Sequence, residues 1–316
     1  MPEPAHAVSV APLFVTGAPR SGTTWLGRML GLSGSYAEIY EPFNPQSSAR
    51  LWLETHGWYP FVAEHNEQLY LDSVQRMVDW RFPLMPALAR ARSLRAARDA
   101  ITSAQWARRA RAEQRQLLLK DPIAVFATPW LVRAFGFTPV LIVRHPGAFV
   151  GSVRRVQWRV RFGSWLNQPE LMASLLAPWA EEIAAADAAP RGDVYDAALF
   201  WKAANGVIAN YRRENPAWTV VRHEDLSTDP ESQFAKLYDD LGLALTDDVV
   251  VKVRAATSPS NPADAGAQVH VLERDSRALV GAWRSRFSDA EVDQIRAVTE
   301  DVSSLFYDDA SWQLGS

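Results

Sequence analysis

The sequence predicts a three-layer α/β fold, with a central parallel sheet covered by helices on both faces. Three observations carry this. Five short apolar stretches recur along the chain, and segments of helical period separate them. One stretch, Val140-Leu-Ile-Val143, is continuously apolar, as expected of a strand buried on both sides. At the start, Val15-Thr-Gly-Ala-Pro-Arg-Ser-Gly-Thr-Thr-Trp-Leu-Gly-Arg-Met-Leu30 runs from a strand through a small-residue turn into a helix. Right-handed crossovers between parallel strands then follow as the default connection.

Taken in order, residues 1–12 read as a loose arm before the first strand, which ends in Leu13-Phe14-Val15. Gly17 to Gly22 form the turn, Thr23 opens an apolar-periodic helix (Trp25, Leu26, Met29, Leu30), and Gly31 and Gly34 stop it. Tyr36–Tyr40 is the second strand, ended by Glu41-Pro42. Residues 47–115 read as a helical insertion with aromatic interruptions. Its stretch 88–115 holds eight arginines (Arg90, Arg92, Arg95, Arg98, Arg108, Arg109, Arg111, Arg115) against Asp99 and Glu113, either a solvated face or a patch attracting an anion. Gln116–Leu119 is the third strand, ended by Lys120-Asp121-Pro122, and a helix spans about 125–135. Val140–Val143 ends in Arg144-His145-Pro146-Gly147, and a helix covers Phe149–Arg155. Residues 160–192 form a Trp- and Ala-rich helical insertion, and a long helix runs over 195–214. The fifth strand, Trp218–Arg222, ends in His223-Glu224-Asp225-Leu226. Helices over 230–241 and 288–304 close a single domain of 316 residues, with a lid-like polar loop over 255–276 between them.

Composition narrows the classes. Hydrophobic residues make up 48% and charged ones 22%, enough to fill a sizeable core. A net charge of −3 gives no reason to expect nucleic acid as a partner. The absence of cysteine excludes disulfides and thiolate metal sites, and the histidines His6, His56, His65, His223 and His270 show no metal-ligand spacing. No stretch reads as a signal peptide or an integral membrane segment, so a soluble cytoplasmic protein is the expectation.

The opening turn carries the chemistry. A glycine-rich turn at a helix start points backbone N–H groups and the positive helix end at an anion. Written out, it is G-x-x-x-x-G-T-T, the phosphate-loop pattern with Thr23 where the lysine belongs and Arg20 as the cation inside the turn. In parallel sheets ligands sit at the carboxyl ends of the strands. The turn after Val15, Glu41, Lys120 and Arg144 all fall there.

These motifs resemble the sulfotransferase family that uses 3′-phosphoadenosine 5′-phosphosulfate (PAPS). Gly17-Ala-Pro-Arg-Ser-Gly-Thr-Thr-Trp25 is similar to that family's 5′-phosphosulfate loop in its carbohydrate-type, arginine-containing form. Val143-Arg144-His145-Pro146 with Ser152 resembles its 3′-phosphate motif. Val221–Leu226 followed by Asp229-Pro230, and Gly281-Ala-Trp283-Arg284, resemble two later segments. The resemblance implies a phosphate-loop nucleotide-kinase-like version of the fold. It implies transfer of a sulfuryl group from PAPS to a hydroxyl, with PAP as product and no metal.

It also implies roles. Gly17, Ala18, Pro19, Arg20, Ser21, Gly22, Thr23 and Thr24 would hold the 5′-phosphosulfate, with Arg20 over the bond being broken. Arg144 and Ser152 would take the 3′-phosphate, with Arg277 and Arg284 near the adenosine end. Trp25 would stack near the adenine or belong to the core. The histidine that many relatives place after the strand-end lysine is missing here. Glu41 in Ile39-Tyr40-Glu41-Pro42-Phe43 resembles the glutamate base of carbohydrate-type relatives, with Glu38 as runner-up. Lys120 would assist the transferred group or pair with Asp121 or Glu41. His145 would support its turn, Glu224 and Asp225 would anchor backbone or arginine side chains, and Trp201, Trp218 and Trp283 would be core.

The acceptor implied is a sugar hydroxyl first, a lipid or natural-product hydroxyl second, met by the two insertions and the late loop. Trp52, Trp58, Tyr59, Trp80, Trp158, Trp165 and Trp179 would suit either stacking or core packing. Two rivals stand beside this: a phosphate-loop phosphotransferase, which needs a metal-binding strand-end carboxylate such as Asp121, and a non-catalytic binding protein.

Overall fold

A computed structural model describes residues 11–54, 56–258 and 280–313. Its centre is a five-stranded parallel sheet in the order β2-β3-β1-β4-β5, built from β1 (Leu13–Gly17), β2 (Tyr36–Tyr40), β3 (Gln116–Lys120), β4 (Thr138–Val143) and β5 (Thr219–Arg222). Each strand falls where its apolar stretch predicts it.

Alternation along β1 divides the core in two. Leu13 and Val15 face a layer made by α1 (Thr23–Gly31), α11 (His223–Thr228), α12 (Pro230–Asp240) and α13 (Asp247–Thr257). Phe14 faces the opposite layer, where α2 (Gln68–Val78), α4 (Leu94–Ala112) and α5 (Thr128–Phe135) pack. On that same side of β4, Leu141 and Val143 meet α6 (Pro146–Arg155), α10 (Asp193–Glu214) and α14 (Asp289–Ser303). These are the three layers the alternation requires.

Pro139 sits inside β4 without cost to the ladder. Thr138 donates its N–H to Pro12 on the β1 side, so the next nitrogen faces the β5 side. There β5 begins opposite Val140, one residue later, so no ladder bond is lost.

Within residues 47–115, α3 (Leu84–Arg90) packs with α4. Ser93 caps α4 by accepting from Ala96 N–H, and the buried face of this helix is a stripe of alanines at 100, 104, 107 and 110. The 160–192 insertion breaks into α7 (Gly163–Leu166), α8 (Pro169–Ala173) and α9 (Ala180–Ala188). Two boundaries differ from expectation. His223–Thr228 is a helical turn rather than a simple strand end, and α13 occupies a stretch left unassigned, started by Thr246 accepting from Val249 N–H. Residues 255–257, placed in the late loop, are the last turn of α13. The rest of that loop, 259–276, lies outside the described residues, as do His6 and His270. Among the described residues, no helix is long and apolar enough to cross a membrane.

Asp121, just past β3, ties the strand ends together. It is fully buried, and its carboxylate accepts from the N–H groups of Phe43 (2.7 Å) and Ile123 (2.8 Å). Burial, with Glu41 adding, pushes its pKa up to about 7. A carboxyl raised in the folded state contributes stability that is lost as pH rises from its unfolded value through the folded one. Asp121→Asn should therefore flatten this contribution between about pH 4 and 7. Urea unfolding of both proteins at pH 5 and pH 8 checks it: the variant's relative stability should improve at the higher pH, and an unchanged difference would contradict the assignment.

Candidate active site

The turn after β1 is shaped by two glycines. A Cβ on Gly17 would lie 2.3 Å from the Ile142 carbonyl oxygen of β4. Gly22 has φ 102°, and a Cβ there would lie 2.5 Å from the His223 ring. Between them, Ala18 is buried, Pro19 half-buried, and Ser21 N–H donates to the Ala18 carbonyl at 3.1 Å. The first bond of α1 is Leu26 N–H to Gly22 O at 3.0 Å, so the amides of Thr23, Thr24 and Trp25 have no intrahelical acceptor. Gly22 supplies no side-chain cap, and the buried Ser21 Oγ has no hydrogen-bond partner. The cradle therefore presents unsatisfied donors, the physical signature of an anion site.

Arg20 sits in this turn at φ 71°, a left-handed conformation that costs a non-glycine residue about 1–2 kcal/mol. Three contacts hold it and its neighbours. Its Nε donates to Ser152 Oγ at 3.1 Å, its carbonyl accepts from Arg144 Nη1 at 3.0 Å, and the Arg144 carbonyl accepts from the Trp201 indole at 2.7 Å. Arg20, Arg144 and Ser152 are thus brought together from β1, β4 and α6. Arg144 Nε is buried without a partner. Burial pushes Arg144 down to about 10, with Arg20 and Arg155 adding, so it stays cationic at neutral pH.

Around Arg144 the supporting residues match expectation. His145 Nδ1 accepts from Gly147 N–H at 3.2 Å and its ring stacks on Trp283 at 4.7 Å. Burial pushes it down to about 3, so it is neutral. Glu224 accepts from His145 N–H at 3.0 Å and from Tyr307 OH at 2.8 Å, while Asp225 holds Arg222 at 2.5 Å. Trp201 and Trp283 are buried, and Trp218 packs against the core half-buried.

Glu41 stands across the cleft, also left-handed at φ 51°. Its N–H donates to the Lys120 carbonyl at 2.7 Å. Its carboxylate accepts from Lys120 Nζ at 2.5 Å and from Asn44 Nδ2 at 2.7 Å. Lys120 has no exposed surface, and its ammonium lies 3.3 Å from the centre of the Tyr40 ring. Of the two pairings open for Lys120, the structure shows the one with Glu41. Glu38, within β2, lies outside the cleft, one oxygen buried without a partner, and burial raises its pKa. Asp121, its oxygens taken by backbone N–H groups, is also outside it, so the carboxylate a phosphotransferase needs for its metal is not presented. Among the described residues, no cluster of three or more His, Asp or Glu side chains could hold a metal.

All these edges open on one cleft of about 1050 Å³. Trp25 lines the cleft and packs edge-on against Phe234 at 5.4 Å, beside His223 at 5.4 Å. Trp58, Tyr59 and Trp158 also line the cleft, whereas Trp52, Trp80, Trp165 and Trp179 are buried in the core. Arg284 is not brought in. It turns to Asp289 and the Phe287 carbonyl, and Arg286, two residues on, lines the cleft instead. Arg277 lies outside the described residues. Sequence reasoning also missed Asn44, which clamps Glu41, and Arg155, one turn past Ser152; the only signals were their places three residues after Glu41 and Ser152.

No curated protein matches the chain. Among solved structures, the sulfotransferase domain of the Synechococcus PCC 7002 olefin synthase is similar at 19% identity and TM-score 0.50, over 97% of this chain and 98% of that one. A sulfotransferase domain from the curacin biosynthetic pathway (16% identity, TM-score 0.47, 94% and 98% covered) and a mouse sulfotransferase complexed with PAP (14%, 0.42, 96% and 88%) are further matches. The family model described as "Sulfotransferase family" matches residues 12–247. That span takes in the loop, Glu41, Lys120, Arg144 and Ser152, and with well over half of its length matched, the chain belongs to the sulfotransferase family.

Proposed function

We propose that this sulfotransferase moves a sulfuryl group from PAPS to an acceptor hydroxyl, of a carbohydrate or a glycosylated or lipid small molecule, with Glu41 as base. The observation that carries this reading is the meeting of Arg20 and Glu41 in one cleft, beside Arg144, whose buried Nε lacks a partner. The loop amides, Thr23 and Thr24 bind the 5′-phosphosulfate. Arg144 and Ser152 take the 3′-phosphate by charge-assisted and hydroxyl hydrogen bonds. Trp25 flanks the adenine.

Glu41 accepts the acceptor's hydroxyl proton as that oxygen bonds to sulfur. The bond from sulfur to the bridging oxygen breaks, and Arg20 stabilises the electron pair left on that oxygen. Lys120 and Asn44 fix the Glu41 carboxylate, whose oxygens keep free lone pairs for the incoming proton. Lys120 thereby acts as a positioning residue. Its complete burial supports this over direct contact with the transferred group.

PAP should raise the melting temperature without magnesium, by linkage to the folded state. A rise with ATP–Mg²⁺ and none with PAP would refute the donor. Arg20→Ala should lower kcat by about 10²–10³-fold in a labelled-PAPS transfer assay, the cost of losing one transition-state donor. Turnover within a few-fold of the parent would remove Arg20 from the chemistry. Glu41→Gln, which keeps the shape and the acceptor oxygen for Lys120, should cut turnover by about 10²–10⁴-fold. PAP affinity, measured by calorimetry, should stay nearly unchanged. Loss of PAP binding instead would mean that Glu41 is structural.

A further inference from the structure

The cleft is strongly basic. Arg20, Arg144, Arg155, Arg159, Arg161 and Arg286 line it, and among the described lining residues Glu41 is the only carboxylate. Elsewhere many arginines are neutralised: Arg109 by Glu113, Arg154 by Asp193 and Glu291, Arg254 by Glu231. Arg159 and Arg161 make no ion pair with any described residue. The field of Asp196 reaches Arg161, but that carboxylate already accepts from Arg191 N–H at 3.2 Å.

Their place in the chain is distinct from that of the loop and strand-end residues. Both lie between α6 and α7, on a segment anchored by Trp158, whose ring packs on Phe200 at 5.2 Å and Phe149 at 6.5 Å. Trp158 of this segment and Gly163 and Ser164 at the start of α7 line the cleft with Trp58 and Tyr59. Tyr59 is itself fixed against Phe126, Trp165 and Phe200. This wall is both aromatic and basic, in a chain whose net charge is −3. Arginines without an ion-pair partner, lining one cleft with aromatic side chains, match a ligand that combines a ring with an oxyanion.

Resting on the PAPS reading above, we propose that the acceptor is itself anionic: a hydroxyl-bearing ring that also carries a carboxylate or a sulfate ester. Arg159 and Arg161 are the residues that select it. Their guanidiniums bind the anion, the aromatic wall takes the ring, and the hydroxyl is left facing Glu41.

The test uses protein saturated with PAP and three p-nitrophenyl β-D-glycosides as probes: the glucuronide, the glucoside 6-sulfate and the neutral glucoside. Calorimetry should show the glucuronide or the sulfate binding about tenfold or more tighter than the glucoside. Arg159→Ala/Arg161→Ala should bring that ratio to within about twofold while leaving PAP affinity intact, and the lysine pair should restore part of it. Arg92→Ala, on the distant helical insertion, should leave the ratio unchanged. Neither anionic probe exceeding the glucoside, or a preference that survives in the double alanine variant, would overturn the proposal. Failure to bind PAP at all would instead overturn the donor reading beneath it.

Discussion

The cleft depends on the in-register parallel pairing of β1 with both of its neighbours. Val15 is opposite Lys120 on one side and Val140 on the other, and Gly17 is opposite Ile142. Tyr40 pairs with Lys120, and Val143 with Arg222. This register brings the carboxyl ends of all five strands to one edge. A one-residue slip of β3 would turn Lys120 to the opposite face and separate it from Glu41. The ladder is also what allows Gly17 to approach β4 so closely that no side chain fits.

On this frame the protein spends stability on charge. Arg144 is desolvated, its Nε unsatisfied, and its neighbours include Arg20 and Arg155. Buried charge without a counter-ion is costly. Glu224 offers partial compensation, although its oxygens are also committed to His145 and Tyr307. An incoming polyanion would supply what is missing, so folding cost and binding energy are linked through the same guanidinium. The same logic extends along the wall to Arg159 and Arg161, where exposure makes the unpaired charge cheaper to keep.

Much of this was legible in the chain because it depends on local pattern. Apolar runs bounded by turn residues placed all five strands, and glycine spacing placed the loop, since both signals act over a few residues. What escaped depends on direction and on distant partners. Arg284 fits a motif, yet it belongs to the short 3-10 turn Arg284–Arg286, where a step of two residues reverses which side chain enters the cleft. The valine-rich stretch of α13 has weak helix propensity, and burial of Val249 and Val253 against the sheet layer decides it. Glu41 could be singled out from its place after β2. Its ranking above Glu38 gains physical support only from side-chain surroundings, one carboxylate in the cleft and the other beneath α1 near Gly27.

Arg20 and Glu41 share one further property. Both are non-glycine residues in the left-handed region, each carrying a backbone cost of about 1–2 kcal/mol. Such conformations persist only where surroundings over-determine them. Here β4 and α6 hold Arg20 through Arg144 and Ser152, while β3 and the segment after β2 hold Glu41 through Lys120 and Asn44. Both side chains line the same cleft, so part of the backbone strain of the chain is stored where a cation and a carboxylate are presented to it.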